Sequence, residues 1–322
     1  MPLTSTLVNT ALNEIGASTT TSNIRYLVAS DFKANTTSSA TMMLYSYAIK
    51  SDVINFVNFT ANDSIKGSYL DVLGFKGVVL VSGPVNVGFI GPGTEVIDAG
   101  NGATLTTTPD GASIIIAQGG STIFGDTGLD KVILPQTNSS AARVTIVSGS
   151  VEKNQSLQVK IEMPGQAPTL LKGVERIQFA DQVLALDTAL DGPIATAYRF
   201  YSALGVDRKP DPKGFGYWIN ELDADHSAKG IKSVANSILH SDEFTTKYGS
   251  VDAMSATNYI NLLYHNVLNR SPSSSEIVYY TNLLSAGYTR DTILMYFANS
   301  PEAVHITGTA LANGIFYTPY HP

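Results

Sequence analysis

The sequence predicts a multidomain protein with α and β parts: an N-terminal domain built around a parallel β-roll, then an all-α domain made of two similar helical copies. Three observations support this prediction. An aliphatic residue recurs every nine residues from Val78 to Val132, and a glycine closes four of these nonapeptides. Arg-x-Pro, followed by a polar turn and two aromatic residues, occurs at Arg208 and again at Arg270. A fixed short period and a duplicated motif are both signs of repeat architecture.

The domain boundary follows from a change of composition. Aromatic and β-branched runs are typical of strands in the first half, and apolar residues take helical spacing after residues 187–192. We therefore assign three segments: a β-rich domain over 1–190 with its β-roll core at about 76–135 and a closing hairpin, an all-α domain over 191–307, and a C-terminal tail over 308–322.

The first 18 residues predict a short amphipathic helix. They lack the basic region and apolar core of a signal peptide. The helix would begin at the N-cap Ser5 and end at Gly16. The residues that share its apolar face are Leu7, Ala11, Leu12 and Ile15. Residues 20–75 contain runs that are typical of β-strands.

Composition narrows the function classes. Hydrophobic residues make up 43% of the chain and charged residues 15%, where about a quarter is usual. The net charge of −7, without a cluster of Lys and Arg, argues against nucleic acid as a partner. The absence of cysteine excludes disulfides, thiolate catalysis and cysteine zinc sites. No stretch approaches the roughly 20 apolar residues of a membrane span.

The nine-residue period predicts the interior of the roll. With two strands in each coil, residues 18 apart stack in one column, about 4.8 Å apart. One column would contain Val78, Val96, Ile114 and Val132, and the facing column Val87, Leu105 and Ile123. The turn positions, where a positive φ favours glycine, are Gly93, Gly102, Gly111 and Gly120. The alternative is a set of evenly spaced antiparallel strands. A hairpin with its loop near 153–155 follows the roll.

The helical half is predicted from two sets of apolar residues, offset by 63 positions. The two sets are Ala197, Phe200, Tyr201 and Leu204, and Ile260, Leu263, Tyr264 and Val267. Each set leads into an Arg-x-Pro turn. Asp211 then takes the N-cap position in the first copy, and Ser273 with Glu276 forms a capping box in the second. About three helices per copy follow this pattern.

Asp126 and Asp130 are the candidate metal ligands. The stretch GDTGLDKVI at 125–133 has the spacing of a calcium-binding nonapeptide, in which carboxylates and turn carbonyls bind Ca²⁺. One interpretation makes both residues calcium ligands. The other makes them part of a structural turn, because the position two nonapeptides before Asp130 is Ala112, which has no carboxylate. We expect no other cofactor.

Two further groups of residues recur in both helical copies. Arg208 with Glu243, and Arg270 with Glu302, are interpreted as braces between an arginine and a carboxylate, with ligand binding as the alternative. Trp218 and the tyrosine pairs are interpreted as core residues, with ligand stacking as the alternative. The five histidines show no metal-binding spacing, and no hydrolase, protease or phosphate-loop motif is present. The sequence therefore predicts a protein that is not an enzyme.

Two resemblances extend this interpretation. TIFGDTGLDKVILP and the segment 173–181, GVERIQFAD, resemble the β-roll and closing segment of RTX-type proteins, although the nonapeptides here are degenerate. The helical half resembles a domain of unknown function that often follows such rolls in secreted and surface-layer proteins. The matches are at 208–211, Gly214, 217–218 and 241–244, with weaker matches in the second copy. These resemblances cover about residues 76–305. They imply type I export without a cleaved leader, and they assign no catalytic residue.

We therefore expect a non-catalytic protein at the surface of a bacterium or outside it. Its function would be structural, as a homo-oligomer or polymer in a surface layer, filament or matrix. One alternative is a secreted adhesin module that binds carbohydrate, such as a cell-surface polysaccharide, or another surface. The other alternative is the non-catalytic part of a type I secreted hydrolase.

Overall fold

The fold is described from a computed structural model. It describes residues 10–11, 24–27, 41–43, 54–60, 69–73, 75, 77–100, 102–150, 153–189, 192–205 and 209–320. The chain divides into two compact units, Met1–Leu186 and Asp187–Pro322. The first contains a β-solenoid and the second is helical, which confirms the predicted fold class.

The first unit is built from strands that alternate between two sheets. The strands are β1 (Ile24–Leu27), β2 (Thr41–Met43), β3 (Ile54–Thr60), β4 (Tyr69–Asp71), β5 (Gly77–Ser82), β6 (Asn86–Ile90), β7 (Thr94–Asp98), β8 (Thr104–Thr107), β9 (Ser113–Ile116), β10 (Thr122–Phe124), β11 (Lys131–Leu134), β12 (Arg143–Ser150), β13 (Lys153–Glu162), β14 (Thr169–Lys172), β15 (Arg176–Phe179) and β16 (Val183–Ala185). One sheet has the order β1-β3-β5-β7-β9-β11-β15-β16, and the other β12-β13-β14-β10-β8-β6-β4-β2. About three solenoid turns span residues 77–133.

Parallel pairing through the roll confirms two strands per coil and excludes the antiparallel alternative there. The column of Val87, Leu105 and Ile123 is confirmed by its register, and all seven third-position aliphatics are buried. Aliphatic side chains from both sheets fill the space between them, which forms the core of this unit.

One position of the other column was predicted wrongly. Val96 pairs with Val79, whereas Val78 pairs with Glu95. The cause is a short corner between β5 and β6. Gly83 has a φ of +93°, and its carbonyl accepts a hydrogen bond from the Val85 amide at 2.8 Å. Because of this tight turn, the first half-coil contains one residue fewer than the period of nine residues. The side-chain period of a strand is two, so a shift of one residue moves Val78 to the other face of the sheet.

The turn glycines adopt the predicted conformation. The φ angles of Gly93, Gly102, Gly111 and Gly120 lie between +79° and +109°. At Gly111 a Cβ would also lie 2.5 Å from the Leu129 carbonyl oxygen of the next coil. Stacked turns therefore approach more closely at this corner than an alanine would allow.

The hairpin after the roll is present, but its loop lies earlier than predicted. Strand β12 pairs antiparallel with β13, and Ser150 faces Lys153 across the turn. The residues predicted as the loop, 153–155, are the first residues of β13. Strand β13 also pairs antiparallel with β14, and β14 pairs parallel with β10, so the hairpin belongs to the same sheet as β10. In the predicted N-terminal helix, Thr10 and Ala11 are helical, and the other predicted positions lie outside the described residues.

The described part of the second unit contains eight α-helices. They are α1 (Pro193–Tyr201), α2 (Pro212–Ala224), α3 (Ala228–Leu239), α4 (Asp242–Tyr248), α5 (Ala256–Leu268), α6 (Ser274–Ser285), α7 (Arg290–Ala298) and α8 (Pro301–Leu311). Short 3-10 turns occur at Ser139–Ala141 in the first unit and at Ser202–Leu204 here. Within the described ranges, no helix combines the length and the apolar character needed to cross a membrane.

The predicted apolar positions of α1, of the 3-10 turn that follows it and of α5 are buried. The buried residues are Ala197, Phe200, Tyr201, Leu204, Ile260, Leu263, Tyr264 and Val267. The side chain of Asp211 caps α2 by accepting from the Gly214 amide, and Ser273 and Glu276 form the expected capping box of α6. Strand β17 (Ile315–Tyr317) lies in the segment that we assigned to a tail. It packs beside α2, where the Thr318 amide donates to the Pro212 carbonyl at 2.9 Å.

Candidate functional site

Asp130 lies at the corner of the roll and is only 1% exposed. Its Oδ1 accepts from the Ala112 amide and its Oδ2 from the Asp126 amide, both at 2.9 Å. Its own amide donates to Glu175 Oε2 at 2.6 Å. Asp130 therefore links the preceding coil, its own turn and the strand that closes the roll. Both carboxylate oxygens already accept backbone N–H groups, as expected for a structural turn.

Burial raises the pKa of Asp130 to about 6, and the hydroxyl of Thr107 and the two amides oppose this rise. Asp126 is exposed, and the structure joins it to Asp130 through its backbone amide. Among the described residues, no group of three or more His, Asp or Glu side chains is placed to hold a metal ion. One turn with two carboxylates offers fewer than the six to eight oxygens that Ca²⁺ prefers.

A small cavity of about 190 Å³ opens beside the same stack of turns. Its walls come from two successive coils and include Gly93, Glu95, Asp110 and Gly111. Glu95 is buried, and Asp110 is exposed. The cavity is large enough for a few water molecules, and its two carboxylates give it an acidic character.

Asp98 is a buried carboxyl group that the sequence analysis missed. Its side chain is 0% exposed and lies in the column of Val81 and Ile116, in the apolar interior. Oδ1 accepts from the Gly100 amide at 2.8 Å, and Oδ2 has no hydrogen-bond partner among the described residues. Burial raises the pKa of Asp98 to about 6, and the neighbouring Ser121 hydroxyl opposes the rise only in part.

Arg270 joins three helices of the second unit. Its guanidinium donates to Glu302 at 2.7 and 3.0 Å and to Glu276 at 2.8 and 3.1 Å. It also lies over the Tyr264 ring, 4.6 Å from the centroid. The brace between Arg270 and Glu302 is thus confirmed, and Glu276 adds a second carboxylate. The pKa of Glu276 is well below its usual range, because Arg270 and Ser273 stabilise the carboxylate. Arg208 lies outside the described residues, so its pairing with Glu243 stays a prediction.

The interpretation of the aromatic pairs as core residues was wrong for the first member of each pair. Tyr217 and Tyr279 are exposed, and Trp218 and Tyr280 are only partly buried. Tyr280 packs 4.8 Å from Phe297 between ring centroids, whereas Tyr279 points outward. The reason is geometric. Adjacent residues on a helix point in directions about 100° apart, so both members of a pair cannot face the same core.

Aromatic and aliphatic side chains form a connected surface on α6, α7 and the loop between them; four of them are exposed, and Leu283 is partly buried. We call this surface the α6–α7 apolar face, and its members are Val278, Tyr279, Leu283, Tyr288 and Tyr296. Helix α6 has no fully buried residue. The one sequence signal for this face is the stretch 277–289, IVYYTNLLSAGYT, which has no charged residue.

Two comparisons with known proteins gave no match: no curated protein and no solved structure is significantly similar to this chain. A family model described as "Domain of unknown function (DUF4214)" matches residues 235–306. The matched segment runs from α3 into α8, and it contains Arg270, Glu276, Glu302 and the α6–α7 apolar face. Part of the second unit is thus similar to a family whose function is not defined.

Proposed function

We propose that this chain is a non-catalytic structural protein that self-assembles outside a bacterial cell into a surface layer, filament or matrix. In this proposal the solenoid is a degenerate roll of RTX type, and the helical unit is an internal duplication. Export by a type I system and a location outside the cell or at its surface belong to the same proposal. They rest on the sequence resemblances.

The observation that supports the proposal most directly is the hydrogen bonding of the Asp130 carboxylate. This aspartate is the most distinctive residue of the nonapeptide motif, and both of its carboxylate oxygens accept backbone amides of the chain itself. Arg270 has a comparable role, because its guanidinium donates hydrogen bonds to two carboxylates of neighbouring helices. Motif side chains that stabilise turns and helix ends support a scaffold role. In this proposal calcium acts between chains and not within one chain.

Electron microscopy of the purified chain tests the proposal. We expect ordered assemblies in negative stain as the protein concentration is raised from micromolar to millimolar, both with calcium and with EDTA. Light scattering on the same samples would follow the growth of the particles. A chain that stays monomeric over the whole range, in both buffers, would contradict the proposal.

A second candidate function is the binding of carbohydrate, such as a cell-surface polysaccharide. The observation that favours it is the exposure of tyrosine rings at Tyr217, Tyr279, Tyr288 and Tyr296, because aromatic side chains provide an apolar body with a polar tip. Binding to a glycan array by the monomeric chain would support this function, and removal of that binding by Tyr279→Ser would place it on the helical unit.

A further inference from the structure

We propose that the α6–α7 apolar face is the surface through which two copies of this chain join, each copy presenting the same face to the other. The inference rests on the proposed self-assembly and names the contact that would carry it. A contact in which both partners use one patch is the usual arrangement of two-fold symmetric dimers.

Four of the five side chains of this face are exposed, and Leu283 is partly buried. Tyr279 is 59% exposed and Val278 is 57% exposed, and they are neighbours on the outer side of α6. Tyr288 and Tyr296 are 44% and 46% exposed. A single exposed apolar residue needs no explanation, but a contiguous group marks an interaction site.

The members of the face are connected. Tyr279 and Leu283 lie four residues apart on α6 and therefore share one side of the helix. The Tyr288 amide donates to the Leu283 carbonyl at 3.1 Å, which folds the loop after α6 back on the helix. The rings of Tyr288 and Tyr296 lie 6.2 Å apart between centroids and connect the loop to α7. The apolar surface thus crosses two helices and the loop between them.

The charge distribution favours a second copy as the occupant. Two copies that each carry a net charge of −7 repel one another, so a contact between them is best formed where no charged side chain lies. Residues 277–289 have none. The nearest acidic residue before them, Glu276, is paired with Arg270 at 2.8 Å. Identical copies can therefore approach here without placing like charges against each other.

The composition of this face suits a protein partner. It combines tyrosines with the aliphatic side chains of Val278 and Leu283. The hydroxyl of Thr281 donates to the Ile277 carbonyl within α6. Tyrosine and aliphatic side chains without charges are typical of the centre of a protein–protein contact.

The face is also held in place before any partner arrives. The capping box fixes the first turn of α6, and Arg270 connects that turn to α8 through Glu302. Tyr280, on the inner side of α6, packs on Phe297 of α7. A surface that is already ordered loses little conformational entropy on association.

The end strand β12 is the competing surface for self-association. It is the last strand of its sheet in the part of the chain that is described, and Val147 on it is 55% exposed. However, its register shifts twice, between Ile146 and Ser148 and between Ser148 and Ser150, and Gly149 has a φ of +84°. Such irregularities prevent edge-to-edge pairing. Helix α6 has no comparable protection.

Sedimentation velocity over a concentration series tests the inference with two variants. In the first, Val278→Ser is combined with Tyr279→Ser; in the second, Val147→Ser removes an equally exposed valine from the competing surface. We expect the wild type to form dimers or larger species, and the dissociation constant of the double variant to rise at least about tenfold, which is 1.4 kcal/mol. The Val147→Ser variant should assemble like the wild type.

The outcomes separate the two proposals. A wild type that is monomeric throughout would overturn the proposed function as well. Assembly of the folded double variant at wild-type concentrations would overturn only this contact, and loss of assembly in Val147→Ser alone would assign it to β12. If the double variant does not fold, cysteine cross-linking tests the contact instead. The chain has no native cysteine, so any disulfide must form at the introduced residue. Tyr279→Cys should form a disulfide-linked dimer on mild oxidation, whereas Val147→Cys should not; equal yields would contradict the inference.

Discussion

Asp98 pairs in register with Ile116, so a carboxyl group and an aliphatic side chain are neighbours in one interior column of the solenoid. The groups that face Asp98 from the adjoining strands and corner are Val81, Ile116, Ser121 and the Gly100 amide, and none of them is charged. Burial without a counter-charge raises the pKa of the carboxyl group.

From this relationship we predict that Asp98 makes the solenoid more stable in mild acid. Its pKa is about 6 in the folded chain and 3.8 ordinarily, so the folded state binds the proton more tightly. The stabilisation is complete below pH 3.8 and is lost as the pH rises through 6. Two pKa units correspond to about 3 kcal/mol. Denaturant unfolding of the wild type and of Asp98→Asn at pH 4 and pH 7 measures the difference.

The variant should lose this part of the pH dependence, because asparagine does not ionise. Asp110→Asn, at an exposed position of the same solenoid, is the matched control and should keep it. Equal pH dependence in the wild type and in Asp98→Asn would show that Asp98 does not titrate as proposed.

Truncation of the central column should destabilise the solenoid strongly. Ile114 is 1% exposed and is stacked between Val96 and Val132. We expect Ile114→Ala to lower the free energy of unfolding by about 2–5 kcal/mol, since it removes buried methyl groups and leaves a cavity. Leu129→Ala is the control, because this leucine is exposed on a turn and should cost much less. Similar losses for the two variants in urea unfolding would contradict the column.

The brace at Arg270 should contribute to the stability of the helical unit. Arg270→Ala leaves Glu276 and Glu302 without their shared cation, and we expect a loss of about 1–2 kcal/mol for this partly exposed network. Arg270→Lys should also lose a large part of the stability that the brace contributes, because an ammonium group cannot pair with two carboxylates in bidentate fashion. The fluorescence of Trp218, which is the one tryptophan of the chain, reports the unfolding.

Lys232→Ala is a suitable comparison for the brace. Lys232 approaches Asp291 at 3.9 Å and is 45% exposed, so its removal should cost under about 1 kcal/mol. If Arg270→Ala costs no more than Lys232→Ala, the four hydrogen bonds of the brace do not act as a network.

Calcium should change the thermal stability of the dilute monomer little. Saturating a site at 100 times its dissociation constant adds about 2.7 kcal/mol, which would raise the melting temperature of a unit of this size by roughly ten degrees. Both carboxylate oxygens of Asp130 already accept amides, so we expect near-identical melts in EDTA and in millimolar calcium. A rise of about ten degrees with calcium would refute this.

Asp130→Asn distinguishes the structural role from the metal role. An asparagine amide cannot accept from both Ala112 and Asp126, so the variant should be less stable in EDTA and in calcium alike. Asp126→Asn should behave like the wild type, since the Asp126 side chain is exposed and its amide is the group that Asp130 binds. Destabilisation of Asp130→Asn that appears only in calcium would favour the metal role.

The parts of the fold that depend on local periodicity were predictable from the sequence. Val87, Leu105 and Ile123 fell into one column because each lies 18 residues from the next, and the capping box at Ser273 follows from a local motif. Val78 was misplaced because the short corner at Gly83 changes the count by one residue. A fixed period cannot reveal where a turn becomes tighter.

The candidate sites depended on tertiary packing and were harder to predict. Asp98 is the last residue of β7, where the sequence pattern suggested nothing unusual, and only the stack of neighbouring coils shows that it is buried. The exposure of Tyr279 depends on which side of α6 faces α7. The lack of charge over 277–289 was visible in the sequence, but it is compatible with a buried helix as well as with an exposed one.

The bond between the Asp130 amide and Glu175 has a consequence for the order of folding. Within the roll, neighbouring coils are in contact through residues 18 positions apart, such as Ala112 and Asp130. Strand β11, in contrast, pairs with β15, which lies 45 residues later in the chain, after the β12–β14 hairpin. Closing the longer loop costs about 0.8 kcal/mol more in chain entropy. We therefore expect the early coils to form one after another from neighbouring segments of the chain, and β15 to dock onto β11 later than these coils form.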